Sequence, residues 1–280
     1  MCSNRKWTIT ALTNHRSTEE YRPEDYYPNA VNADGQFLGT YIPYIGERYF
    51  DTKPQLLIYA ISQNLARTPR VIKAWHNNND KGLLRQYYHP EKLHASITPY
   101  DDGHLKVIAA LVLSKYPDTD YIPSDNIHEK IAVTNFVKFS FYQEGKNGQT
   151  LDANPPLTIY DDMWKHYSAY EIELLQPDII IGVGKDATRA LRRNLNNKIT
   201  LLKIPFPGRL NLNSRYVPKG KRLIKENSHN KDEDIARIQA LVQGTPDKDG
   251  AIAKAISTDW YYFREMESYI SRNLASQIPE

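Results

Sequence analysis

Gly182-Val183-Gly184-Lys185-Asp186 is the first stretch whose residue types suggest chemistry, because glycines ahead of a lysine can offer backbone amides to a phosphate. A phosphate-binding loop also needs a glycine five residues before the Gly-Lys glycine and a hydroxyl residue after the lysine. Ile179 and Asp186 stand at those positions, so the glycines are read as a tight strand-to-helix turn. The histidines offer no metal-ligand spacing: His89 and His94 flank Pro90, while His76, His104, His128 and His166 are scattered. Cys2 is the only cysteine, which excludes an internal disulfide, a zinc quartet and a four-cysteine iron–sulfur cluster. There is no Gly-x-Ser-x-Gly elbow, and Cys2 is poorly placed as a nucleophile. The expectation is therefore of neither metal nor cofactor.

Charge is more informative in its distribution than in its sum. The chain carries +3, but Lys185 to Lys225 holds twelve basic residues (Lys185, Arg189, Arg192, Arg193, Lys198, Lys203, Arg209, Arg215, Lys219, Lys221, Arg222, Lys225) against Asp186 alone. That segment is +11, which leaves −8 for the rest, a concentration suited to a polyanion. A solvated basic helix and loop is the bland alternative. Residues Met1 to Trp7 show no apolar leader, and no stretch approaches the roughly 18 apolar residues of a membrane span, so a soluble, cytoplasmic protein is expected.

Four strands are expected to position these groups. Leu56 to Ile61, Ile131 to Phe139, Ile179 to Gly184 and Ile199 to Ile204 are short apolar runs of the kind found in buried parallel strands. Helical spacing joins Leu105, Ile108, Ala109, Val112 and Leu113. Asp161 to Gln176 places Met163, Tyr167, Tyr170 and Leu174 on one face before Pro177, and Asp186 to Leu195 buries Ala187, Ala190 and Leu191. Gly145 to Pro156 reads as a loop. This alternation predicts a three-layer α/β/α sandwich around a central, mostly parallel sheet, whose functional groups gather at the strands' carboxyl ends. The ends are Ser62-Gln63-Asn64, Asn135 onwards, Gly184-Lys185 and Phe206 to Asn211. Residues 1–53 read as a Tyr-rich extension packed on the core, 54–225 as the main domain, and 226–280 as helices belonging to it.

Ile131-Ala132-Val133-Thr134-Asn135-Phe136-Val137-Lys138, the helix ending Glu171-Ile172-Glu173-Leu174-Leu175-Gln176-Pro177-Asp178, and Ile179-Ile180-Ile181-Gly182-Val183-Gly184-Lys185-Asp186-Ala187 together resemble the middle of the uracil-DNA glycosylase superfamily, closest to its iron–sulfur branch. The resemblance spans about Pro54 to Asn213. It implies that Asn135 reads an extruded base, for which an amide's paired donor and acceptor are suited. It also places Ser62, Gln63 and Asn64 at the water-activating motif, although no carboxylate stands there, and it makes Tyr59 or Trp75 candidates to stack on the base. Pro205-Phe206-Pro207-Gly208-Arg209-Leu210 falls at the family's His-Pro-Ser loop, with Phe206 for the histidine and Gly208 for the serine. Pro207, Arg209 and Leu210 keep a rigid turn, a phosphate contact and an apolar wedge. Asn211, Lys185 and Arg215 complete the DNA-binding set. The branch's cluster cysteines are absent, so no iron–sulfur cluster is implied.

The resulting expectation is a monomeric, monofunctional DNA glycosylase. It hydrolyses the N-glycosidic bond of a uracil-like base or modified pyrimidine, with antiviral defence as a candidate setting and Gly46-Glu47-Arg48-Tyr49 helping to build an enlarged pocket. Two alternatives stay open: a non-catalytic nucleic-acid-binding module on the same fold, favoured by the missing carboxylate and histidine, and a nucleoside-processing enzyme, for which no acid pair is evident.

Overall fold

A computed structural model describes residues 7–8, 10–12, 15, 26–27, 30–31, 43–62, 103–138, 140–144, 146, 150–226, 230–247 and 250–275. Its central sheet has five strands: β2 (Tyr44–Ile45), β3 (Leu56–Ser62), β4 (Ile131–Val137), β7 (Ile179–Val183) and β8 (Thr200–Ile204), in the order β2-β4-β3-β7-β8. The four longer strands run parallel, with β2 antiparallel on the β4 edge. A small antiparallel sheet joins β1 (Ala30–Val31), β5 (Ser140–Glu144) and β6 (Thr150–Asp152). The expected α/β class and mostly parallel sheet are thus observed. Two details differ: Tyr44–Ile45, ahead of Pro54, supplies an edge strand, and the expected loop from Gly145 to Pro156 contains β6.

The order puts the sheet's reversal between β3 and β7. From β3 the chain passes through α1 (Gly103–Lys115) and α2 (Ile127–Lys130) to β4 on one side. It then crosses back by way of α3 (Ile159–Met163) and α4 (Ala169–Leu175) to β7 on the other side. Right-handed crossovers in opposite directions place their helices on opposite faces. Two apolar cores result. Leu56, Ile58, Ile131, Val133, Ile179, Ile181, Leu202 and Ile204 pack with α1, with Ile238 of α8 (Lys231–Ala240) and with the long α9 (Ala251–Ala275). Leu57, Tyr59, Ala132, Phe136 and Ile180 pack with α3, α4 and α5 (Lys185–Asn194). The alternation along each strand is what allows one run of apolar residues to serve both cores.

α3 and α4 are separated by a π-helical turn, Trp164–Ser168. A π turn inserts one extra residue into the helix. The buried face accordingly moves along by one: Met163 and Tyr167 are buried as the spacing predicts, but from the last residue of the turn onward Ser168, Glu171 and Leu175 point inward while Tyr170 and Leu174 are only partly covered. α4 ends at Gln176, whose left-handed φ of 46° closes the helix before Pro177.

Candidate functional site

The register fixes how the strand ends meet. Ala60 pairs with Asn135 and Ser62 with Val137, while Tyr59 pairs with Gly182 and Val183 with Ile204. Asn135 therefore lies level with the last residues of β7 and β8, and β3 and β4 continue two residues further. In open parallel sheets ligands bind outside the carboxyl ends where strand order reverses, here beside β3 and β7. Ser62 ends β3 at that crevice. Gln63, Asn64 and Trp75 lie outside the described residues.

On the next strand, Asn135 is buried, with 1 % of its surface exposed. Alternation puts its side chain on the face of Ile131 and Val133, toward α1 and α9. Tyr59 is on the other face. Its ring is fully buried against Phe136, at 5.7 Å between centroids, and its hydroxyl donates to Glu171 Oε2 at 2.8 Å. The structure thus does not bring Tyr59 to the side of the sheet where Asn135 points.

Gly184 joins β7 to α5 with φ 87°, a left-handed backbone that only glycine adopts readily. Its N–H donates to Ile204 O at 2.8 Å, and Thr188 Oγ1 donates to Gly184 O at 2.6 Å, so the turn is pinned from both sides. Lys185 opens α5 and is exposed. After β8 the chain passes through Pro205 to Gly208 into α6 (Arg209–Asn211), a second π turn (Leu212–Tyr216) and α7 (Val217–Lys225). The loop is braced from beneath: Asn211 Nδ2 donates to Phe206 O at 2.9 Å, the Leu212 N–H to Gly208 O at 3.0 Å, and Tyr262 Oη on α9 to Pro205 O at 2.9 Å. Pro207 is buried, whereas Phe206 is 55 % and Leu210 87 % exposed. Tyr216 packs edge-on to Tyr262 at 5.0 Å, and burial above all pushes its phenol up, keeping it neutral. Between α7 and α9 lies a groove of about 130 Å³ lined by Tyr216, Gly220, Lys221, Ile224, Trp260 and Tyr261.

The basic segment does not form one patch. Lys185, Lys219, Lys221, Arg222 and Lys225 accompany the carboxyl edge and the elements that follow the loop, with exposed Arg215 set 5.4 Å over the Tyr216 ring. Arg192, Arg193 and Lys198 fall at the far end of α5 and in the turn before β8, at the sheet's opposite edge. Among the described residues of the segment only Arg222 makes an ion pair, with Glu226 at 3.7 Å.

The sequence pattern did not reveal the polar cluster behind Asn135. Lys138, fully buried, donates from Nζ to Glu171 Oε2 at 2.7 Å, to Thr134 Oγ1 at 2.8 Å and to the Asn135 carbonyl oxygen. The signal was a lysine at an inward position of an apolar strand, matching Thr134 and Phe136 in alternation. Its partner was hidden by the π turn, which carries Glu171 into the place expected of Tyr170. A second buried pair joins His104 Nε2 on α1 to Asp259 Oδ2 at 2.9 Å, at the kink in α9 where Asp259 leaves helical geometry. The Gly46–Tyr49 segment is not near the site. Gly46 N donates to Ile131 O at 2.9 Å and Arg48 N to Glu129 O at 2.7 Å, which places the segment at the amino end of β4, roughly 20 Å from the carboxyl edge at about 3.3 Å per strand residue. It therefore does not enlarge a pocket there.

Among the described residues no group of three or more His, Cys, Asp or Glu side chains is placed to hold a metal, and no helix is long and apolar enough to cross a membrane. A scan against protein-family models finds no match to this chain, and neither does a search of curated proteins.

Proposed function

We propose that this chain is a DNA glycosylase of the kind its sequence resembles, one that extrudes a uracil-like or modified pyrimidine and hydrolyses its N-glycosidic bond. The observation that carries this reading is the convergence at one sheet edge of Ser62, Asn135, the Gly184 turn and a braced loop presenting Leu210 at 87 % exposure. Each part has a physical role. Leu210, beside Phe206, fills the gap a flipped base leaves in the stack. The cations that follow the loop hold phosphates. Asn135 pairs with the base edge, and Ser62 with Gln63 and Asn64 orients the water that attacks the oxocarbenium-like sugar. No metal or cofactor enters these steps.

One observation favours a binding module instead. Asn135 is nearly inaccessible, so reading a base there requires whatever covers it to move aside. The test is to incubate the protein with duplexes carrying uracil, other deaminated bases or bulky modified cytosines, and to score alkali-labile abasic sites. Base release that is lost in Asn135→Ala supports the enzyme. Salt-dependent duplex binding without release from any substrate supports the binding module.

A further inference from the structure

We infer that Lys138 is a positioning residue for Asn135, acting through the Asn135 main chain, an inference that rests on the glycosylase reading above. An ammonium has three N–H donors, and Lys138 directs them to three acceptors on two elements: Glu171 Oε2, Thr134 Oγ1 and the Asn135 carbonyl oxygen. Gripping that carbonyl fixes the peptide plane that follows Asn135 and hence the direction of its Cα–Cβ bond. The grip comes from behind, because Thr134, Lys138 and Glu171 belong to the α4 face of the sheet and the Asn135 side chain to the opposite face.

The cluster also joins three elements at the crevice. Tyr59 of β3 donates to the same Glu171 oxygen that accepts from Lys138, and the Lys138 ammonium lies 5.4 Å from the Tyr59 ring centroid. β3, β4 and α4 are thereby locked together next to the end of β3, where Ser62 stands. A buried ion pair is weak evidence for stability, since apolar residues of similar volume serve as well or better. The π turn ahead of α4 points the same way: without its extra residue the helix would present Tyr170 and Leu174 inward rather than Glu171 and Leu175. What apolar packing would not supply is a hydrogen bond to the Asn135 carbonyl.

The test uses Lys138→Met with Glu171→Gln, which removes both charges of the pair together and lets Tyr59 donate to the new amide oxygen. The double variant is expected to keep duplex affinity within about twofold while its single-turnover release rate falls about 100-fold, the size of effect that a small misplacement produces. Its discrimination between bases should fall as well. The Asn135 side-chain amide resonances, assigned by their loss in Asn135→Ala, should shift or double. Release at the wild-type rate, or unchanged Asn135 resonances, would overturn the inference. Absence of release by the wild-type chain overturns the glycosylase reading instead, and the resonances then decide whether Lys138 sets the Asn135 geometry.

Discussion

The two ends of β4 both bury charge, and they do so to different effect. At the amino end, Asp125 accepts from Lys130 at 2.9 Å, from Arg48 at 3.1 Å and from the Ile122 N–H at 3.0 Å, while Gly46 and Arg48 bond to the carbonyls where the strand begins. There the carboxylate is tied to cations and backbone on every side, although the Arg48 side chain is 50 % and Ile122 56 % exposed. At the carboxyl end, Lys138 and Glu171 are fully enclosed, and at the same edge, three strands along, the loop after β8 presents Phe206 and Leu210 ahead of cations of which, among the described residues, only Arg222 pairs with an acid. Buried charge alone therefore does not mark a site in this fold. On the function proposed above, it marks one where the enclosed pair touches the backbone of a residue at the carboxyl edge of the sheet.

The largest expected consequence comes from breaking the carboxyl-end pair on one side only. Lys138→Met takes the Lys138 ammonium away from buried Glu171 and should cost about 3–5 kcal/mol in urea unfolding, most of it recovered in the double variant with Glu171→Gln. A loss below about 1 kcal/mol would mean that solvent reaches Glu171 on relaxation.

Asp125→Asn should be next, at about 3 kcal/mol, because it strands Lys130, itself buried. This effect carries a pH signature. Burial works to raise the Asp125 pKa, but the Ile122 amide, Lys130 and Arg48 outweigh it and hold the carboxyl below its ordinary value. A lowered folded pKa contributes stability that is present above the unfolded value of about 3.9 and is lost as pH falls through the folded value. The Tm gap between wild type and Asp125→Asn should hold from pH 7 to about 5 and close in stronger acid. A gap already closed at pH 6 would assign the stability to other groups.

Leu210→Ala separates display from latching. At 87 % exposure the side chain adds little to folding, so stability should stay within about 0.5 kcal/mol of wild type. Excision should nonetheless drop about tenfold as the wedge is removed, measured as single-turnover release from duplex. Equal rates would remove Leu210 from the interface.

The smallest effect divides the basic segment itself. Replacing Lys219 and Arg222 together by alanine should flatten the salt dependence of duplex binding by about one log–log unit for each phosphate that is no longer neutralised. Replacing Arg192 and Arg193 should leave that slope unchanged, because they sit at the far end of α5. A shared slope change would mean that nucleic acid wraps the sheet from edge to edge.

Much of this frame was legible in the sequence. The strands at Leu56, Ile131, Ile179 and Thr200 lie where continuous apolar runs predict them, since burial on both faces leaves a signal that needs no periodicity. Lys185 and the Phe206–Asn211 loop likewise follow strand ends as read, whereas Asn135 lies within β4, two residues short of its end. What sequence could not show was set by geometry without a local signature. The π turn moved the inward face from Tyr170 to Glu171, the sheet register brought Asn135 level with Ile204, and the fold carried Gly46–Tyr49 to the wrong end for a pocket. The run of +11 misled in the same way: ten residues of helix span about 15 Å, enough to send its first and last cations to opposite edges of the sheet.

Base excision is read without intermediary by detecting the liberated base itself, by mass spectrometry, from a duplex carrying a single modified pyrimidine incubated with stoichiometric protein. A glycosylase should give a free base at the mass of the intact modified pyrimidine, an abasic strand left unbroken until alkali is added, and neither product with Asn135→Ala. A duplex that is bound with a steep salt dependence yet recovered with every base in place would contradict it.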